Sequence, residues 1–536
     1  MLTPSAHIDT FCRDNLPPPS QWPEFVFDLP ALRYPERLNC ASALLDGAVD
    51  RHGRDRPCLS TAESTWSYGD LLDTANRIAR VLTEDFGLVP GNRVLLRSPN
   101  TPWLVACWFA VVKAGGVVVT TMPLLRAAEL TKLIDLTRPA LALCDHRLTA
   151  ELACADLPVV PVGGPGAEDL TRRAAAKPPT FTDVATAADD VVLLAPTSGT
   201  TGTPKATMHF HRDVLAVADT FGAHVLRPRP DDVFIGTPPL AFTFGLGGLV
   251  IFPLRVGAST VLLERADPES LVVAIEKFAA TVLFTAPTAY KALLKRDDLD
   301  GLRTLRRCVS AGEHLPEPVF TGFRERTGIS IVNGIGGTEL LHIYISAADA
   351  DIRPGSLGRA VPGFQVEIQD DDGNPVPDGT AGLLAVKGPT GCRYLADPRQ
   401  RDYVRGGWNL TGDTCTRDAD GYLWYHARSD DMIVSAGYNI GAPEVEAVLD
   451  RHPDVAECAV VGVPDADRGN VVHAAVVLRA GVDGSDEKVR ELQDFVKSTA
   501  APYKYPRSIV FVTELPRNPS GKLQRFKVRE QWQAAR

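Results

Sequence analysis

The chain has 536 residues, enough for about three to five domain-sized units and more than one buried core. Hydrophobic residues make up 45% and charged residues 23%, which excludes a disordered, collagen-like or coiled-coil chain. A formal charge of −10 excludes a wholesale binder of nucleic acid or of anionic membranes.

The N-terminal stretch MLTPSAHIDTFCRDN lacks a basic start followed by an apolar core, so no signal peptide is expected. The 10 cysteines include no CxxC pair and read as free thiols of a cytoplasmic protein. Val94 to Arg97 reads as a strand, Pro102 to Lys113 as a helix and Val117 to Thr121 as a buried strand. Lys113 and Gly115-Gly116 split this apolar stretch, so it is not a membrane span. Residues 163–180, rich in Gly, Pro and Ala, read as a surface connection. Val191 to Leu194 is another apolar run. Asp267-Pro268 opens a helix with Leu271, Ile275 and Phe278 on one face, and Val282 to Thr285 follows as a strand. Such alternation predicts an α/β fold: parallel sheets covered by helices.

Past residue 430 the elements shorten. Helices are expected at Pro443 to Leu449 and Glu487 to Ser498, with strands at Ala456 to Val463, His473 to Leu478 and Ser508 to Val512. This predicts a small α+β C-terminal domain, residues 430–536, after a large N-terminal domain, residues 1–429. Residues 503–536 carry eight Lys or Arg against two acids. That reads as a solvated face or as a surface turned towards polyanions.

Thr197-Ser198-Gly199-Thr200-Thr201-Gly202-Thr203-Pro204-Lys205 follows the Val191 run. Its hydroxyls and glycines suit a loop that wraps phosphates. Pro204 and Ala206 flank the lysine, so a Walker A loop is excluded. The string resembles the signature loop of the adenylate-forming enzymes: acyl- and aryl-CoA ligases, luciferases and peptide-synthetase adenylation domains. Four further stretches follow in that family's order. They are Asn333-Gly334-Ile335-Gly336-Gly337-Thr338-Glu339, Trp408 to Asp413, Ser435 to Glu446, and Pro516 to Lys522. Asn333 to Glu339 does not meet the GxGxxG spacing of a dinucleotide fold.

The resemblance implies a two-step reaction. A carboxylate joins the α-phosphate of ATP, and the acyl-adenylate then passes to the thiol of coenzyme A. It implies Lys522 as the catalytic cation, with Thr338 on phosphate and Glu339, with Thr200, on Mg²⁺. It places Thr197, Ser198, Gly199, Thr200, Thr201, Gly202, Lys205, Gly312, Glu313, Asn333, Gly334, Ile335, Gly336, Asp413, Tyr425 and Arg428 on the nucleotide. Asp430 would be a hinge about which the small domain turns between steps, and Gly437 would line the coenzyme A tunnel. Pro238 to Gly247, with Gly334-Ile335-Gly336 and His342, is most similar to benzoate- and 2-aminobenzoate-CoA ligases. There Phe242, Thr243, Phe244, Gly245, Ala311, Gly336 and His342 would form the acid pocket. His342 or Thr243 could bond an ortho amino or hydroxyl group. Phe242 and Phe244 read as well as core residues, and His342 as a satisfied buried histidine. Transfer to a separate carrier protein, a nicotinamide-dependent oxidoreductase and a non-catalytic nucleotide binder are the alternatives. A homodimer stays open.

Overall fold

The structure is a computed structural model that describes residues 2–153, 155–198, 204–428, 431–435, 438–465, 469–500, 504–517 and 521–534. Two compact units emerge, Met1–Val366 with Val386–Asn409, and Glu367–Ala385 with Leu410–Arg536. This division differs from a single cut after residue 429. The reason is pairing in the second unit. Asp413 to Arg417 pair antiparallel with Leu423–Arg428. His426 at the end of that ribbon lies 3.2 Å from Glu444 of the following helix.

The first unit holds two sheets. One has six strands in the order Val159–Val162, Leu141–Asp145, Arg93–Arg97, Val117–Thr121, Val191–Ser198, Pro204–Phe210. Its first five strands are parallel, and only the last runs antiparallel. Val94, Leu95, Val117, Val118 and Val119 are all 0% exposed. A strand covered on both faces reads as an unbroken apolar run rather than an alternating one, as these do. Thr101 caps the helix Pro102–Lys113 by accepting from the Leu104 N–H at 3.2 Å. That helix is buried on nearly every side. Among the described residues no helix is long and apolar enough to cross a membrane.

The second sheet has nine strands, with a parallel centre in the order Ile331–Gly336, Arg307–Ser310, Val282–Thr285, Val233–Gly236, Ser259–Val261, Pro57–Ser60. The expected helix start holds, since Asp267 accepts from the Ser270 N–H at 2.9 Å. Leu271 and Ile275 are fully buried in the core beneath this sheet, and Phe278 packs at its edge.

Residues 163–180 are not simply a surface connection. They contain the helix Leu170–Ala175, whose capping residue Asp169 is itself 0% exposed. Its carboxylate takes the N–H groups of Gly163, Gly164 and Thr171, folding the glycine-rich stretch inward. The composition registers the glycines but not the one acid that organises them.

In the second unit a sheet runs Tyr438–Gly441, Met432–Ser435, Gly469–Leu478, Val455–Asp465, with Ser508–Phe511 parallel to Gly469–Leu478. The strand Val455–Asp465 serves two cores by alternation. Cys458 and Val460 face the helices Ala442–Leu449 and Asp486–Thr499. Ala459, Val461 and Val463 face Leu515 and, on the C-terminal helix Arg525–Ala534, Val528. Much of the basic excess of residues 503–536 is neutralised inside this unit. Lys504 bonds Glu444, Arg517 bonds Glu457, and Arg525 bonds Glu446 and Asp431.

Candidate functional site

In open parallel sheets, ligands bind beyond the carboxyl ends of the strands. The nine-stranded sheet delivers the predicted residues there. Strand Arg307–Ser310 ends in Ala311-Gly312, with Ala311 buried and Gly312 at φ +90°, a conformation that favours glycine. Glu313 follows. Strand Ile331–Gly336 carries Asn333, Gly334, Ile335 and Gly336 and runs directly into the short turn Thr338–Leu340. A side chain on Gly336 would come within 2.7 Å of the His342 carbonyl oxygen, so the returning backbone closes on this strand only if the residue is glycine. Leu341 between them has φ +71°, a strained conformation for a bulky residue. The Thr390 hydroxyl fastens this turn by donating to the Leu340 carbonyl at 2.7 Å.

The phosphate corner comes from both sheets. Thr197 and Lys205 face each other in register across an antiparallel hairpin. The Thr197 hydroxyl is buried without a hydrogen-bond partner. Ser198 ends its strand, while Gly199, Thr200, Thr201 and Gly202 lie outside the described residues. The Lys205 ammonium lies 3.0 Å from Glu339 Oε1 and donates to the Tyr394 hydroxyl. That hydroxyl in turn donates to Glu339 Oε1 at 2.5 Å. Burial opposes ionisation of Glu339. The Lys205 charge and the Tyr394 hydroxyl outweigh it, and the carboxyl sits below the usual carboxylate range. An ionised carboxylate is a hard-oxygen donor that fits Mg²⁺ shared with phosphates. Tyr394 was not among the expected residues. In Gly391-Cys392-Arg393-Tyr394 it is a lone tyrosine with no spacing to mark it.

The expected acid pocket is partly a packed wall. The loop before Thr243 is pinned by Asn100, which accepts from the Leu240 N–H at 2.8 Å and donates to the Pro238 carbonyl at 3.1 Å. Thr120 Oγ1 donates to the Ala241 carbonyl at 2.8 Å. Phe242, Thr243 and Phe244 are half-buried, and Gly245 is buried. The Phe244 and His342 rings lie 5.6 Å apart. Phe221, Phe252 and Phe284, which the motifs did not indicate, complete the surroundings of His342.

His342 is a buried histidine whose polar contacts are poor. It is 4% exposed, and neither ring nitrogen makes a hydrogen bond of good geometry, although the Phe244 backbone faces the ring and partly opposes the fall in its pKa. Burial lowers its pKa to about 3, so the ring is neutral and offers one donor and one acceptor. Its seat depends on Gly247, where a side-chain carbon would stand 2.3 Å from Cδ2 and 2.5 Å from Nε2. Gly247→Ala should therefore displace the ring. We expect a loss of about 1–3 kcal/mol in thermal unfolding. A raised KM for the acid, with KM for nucleotide unchanged, is the second expected result.

In the second unit, Asp413 and Arg428 are directly paired across the ribbon, with Tyr425 opposite Cys415. Arg428 Nη1 lies 3.4 Å from Asp413 Oδ1, and Asp413 is 7% exposed. Burial, then the Asp413 charge, push the Tyr425 phenol above its ordinary pKa. Lys522 is exposed on a strap just ahead of the helix Arg525–Ala534. Gly521 turns the strap at φ +83°, and its carbonyl accepts from Arg517 at 2.8 Å. Asp430 and Gly437 lie outside the described residues.

Comparisons with known proteins cover nearly the whole chain. The AMP-binding enzyme profile matches residues 45–394, and the AMP-binding enzyme C-terminal domain profile matches residues 444–522. Benzoate–CoA ligase of Thauera aromatica is 33% identical over 93% of this chain and 97% of its own. The crystal structure of the anthranilate CoA ligase AuaEII in complex with anthranoyl-AMP is 33% identical. It superimposes with a TM-score of 0.88 over 95% of this chain and 99% of that one. A benzoate CoA ligase from Burkholderia xenovorans LB400 is 32% identical, with a TM-score of 0.84 over 92% and 100%. The chain belongs to the AMP-binding enzyme family, C-terminal domain included, and is a ligase of the AMP-forming acyl- and aryl-CoA class.

Proposed function

We propose that this enzyme activates a planar aromatic acid of the benzoate type, with 2-aminobenzoate or a hydroxylated relative as the preferred substrate and coenzyme A as the acceptor. The observation that carries this reading is His342: a neutral imidazole buried beside Phe244, with neither ring nitrogen in a hydrogen bond of good geometry. A buried polar group without a partner is costly unless a ligand completes it. An ortho amino or hydroxyl group on a flat ring would do so. The relatives support the class, since they include benzoate and anthranilate ligases.

The chemistry asks the protein to bring two anions together. In the first step a carboxylate oxygen of the acid attacks the α-phosphorus of ATP, and the bond to pyrophosphate breaks. Lys522 neutralises the approaching carboxylate and the α-phosphate. Lys205 and the loop from Thr197 hold the leaving pyrophosphate. Glu339, with Thr200, would hold Mg²⁺, which when bound offsets phosphate charge. Thr338 contacts phosphate, while Asp413 takes ribose hydroxyls and Arg428 orders them. In the second step the thiol of coenzyme A attacks the acyl carbon, and AMP leaves with the electron pair of the mixed anhydride. Asp430 is the swivel between the steps, and Gly437 lets a thin pantetheine arm approach the backbone.

The test is a screen of pyrophosphate release over benzoate, 2-aminobenzoate, hydroxybenzoates, malonate and medium-chain fatty acids. Each is run with coenzyme A, with a phosphopantetheinyl carrier protein, or with neither. Aromatic acids with coenzyme A should turn over best. Turnover confined to alkyl acids would overturn the aromatic assignment, and preference for the carrier would overturn the acceptor. In His342→Ala, kcat/KM for 2-aminobenzoate should fall about 3- to 10-fold more than that for benzoate, the worth of one neutral hydrogen bond.

A further inference from the structure

We propose that Tyr394 is a positioning residue of the phosphate corner: its hydroxyl sets Lys205 and Glu339 in fixed relation before nucleotide binds. The inference rests on the adenylate-forming reading above.

Three elements meet at this hydroxyl. Lys205 stands at the start of the strand Pro204–Phe210, Glu339 on the turn Thr338–Leu340, and Tyr394 on a segment running beside the first. The Tyr394 oxygen accepts from Lys205 and donates to Glu339 Oε1 at 2.5 Å. The ammonium also reaches Oε1, at 3.0 Å, and lies 4.2 Å from the Tyr394 ring centroid. Both donors converge on one carboxylate oxygen. Among the described residues no other side chain donates to Oε2, which stays available to a ligand.

The tyrosine is itself over-determined. It is 1% exposed, and its N–H donates to Gln400 Oε1 at 2.8 Å. Gln400 donates in turn to the Cys392 and Gln21 carbonyls at 3.1 and 2.8 Å. Backbone bonds tie both neighbours to the lysine's strand, Met208 N–H to the Arg393 carbonyl at 2.7 Å and Leu395 N–H to the Ala206 carbonyl at 2.9 Å. Phenylalanine would fill the same space, so packing alone does not call for the hydroxyl. Its effect is to orient the carboxylate and the ammonium that contacts it at 3.0 Å. The ammonium is thereby kept where pyrophosphate would meet it.

The test is Tyr394→Phe in the full-length chain, read by calorimetric binding of magnesium pyrophosphate and, separately, of AMP. Pyrophosphate affinity should fall about 10-fold, as for loss of a hydrogen bond to a charged group, while AMP affinity stays within about 2-fold. In a Lys205→Met background the same change should cost clearly less than in the parent chain, because one of the two groups it positions is gone. Equal losses for pyrophosphate and AMP, no loss for either, or full additivity with Lys205→Met would each overturn the proposal. If the unaltered enzyme binds neither ligand, the adenylate-forming reading falls, and this proposal with it.

Discussion

Lys522→Ala is expected to lower acid-dependent exchange of pyrophosphate into ATP by about 10²–10³, while supplied aryl-adenylate is still converted to the coenzyme A thioester. The reasoning is electrostatic. Carboxylate and triphosphate repel, and a preorganised cation between them stabilises the charge that builds at the α-phosphate more than it stabilises either reactant. The thiol step begins from an uncharged acyl carbon and does not need that cation. The strap that carries Lys522 has anchors of its own. Arg517 bonds the Gly521 carbonyl and Glu457, and the Gln524 N–H reaches the Pro516 carbonyl at 2.8 Å. Removing the side chain should therefore leave the unit folded. Near-normal exchange in the variant, or equal loss of both half-reactions, would refute the assignment.

The second large effect is on stability. Arg393→Leu should destabilise the first unit by about 3–5 kcal/mol. Arg393 and Asp213 form an ion pair with both side chains 0% exposed. The guanidinium also lies 3.8 Å from the centroid of the Phe210 ring. Asp213 has a second task, accepting from the Phe210 N–H at 2.9 Å where the helix His211–Val217 begins. Leucine would leave that carboxylate buried and uncompensated, which is where most of the cost arises. Adding Asp213→Leu should then recover a large part of the loss, because two apolar residues bury no charge. The checks are chemical-denaturation midpoints of the single and double variants. A single variant as stable as the parent chain would contradict the account. So would a double variant that is worse than Arg393→Leu by as much again.

How much could be read beforehand depended on whether the signal was local. The strand at Val94, the helix at Pro102 and the helix start at Asp267 were legible because an apolar run or a cap and its first turn lie within a few residues. Motif strings likewise named Thr197, Lys205, Glu339, Asp413 and Lys522 in order. What escaped depends on residues far apart. Tyr394 gains its meaning only where it meets Lys205 and Glu339, 189 and 55 positions away. The wall around His342 is assembled from Phe221, Phe252 and Phe284, none of which looks different from a core residue in the sequence. Asp169 turned a glycine-rich stretch into a capped helix by gathering three N–H groups, a geometry that composition does not carry. The basic tail shows the same limit from the other side. Its excess charge is visible in the sequence, but the acids at Asp431, Glu444, Glu446 and Glu457 that answer it come from other elements.

The central claim is that an enzyme-bound aryl-adenylate forms before any thiol is needed. Exchange of labelled pyrophosphate into ATP tests it most directly, measured with 2-aminobenzoate or benzoate and without coenzyme A. Exchange should require the acid and proceed at full rate with no thiol present. Exchange that appears only when coenzyme A is added, or ATP cleaved to ADP instead of AMP, would contradict it.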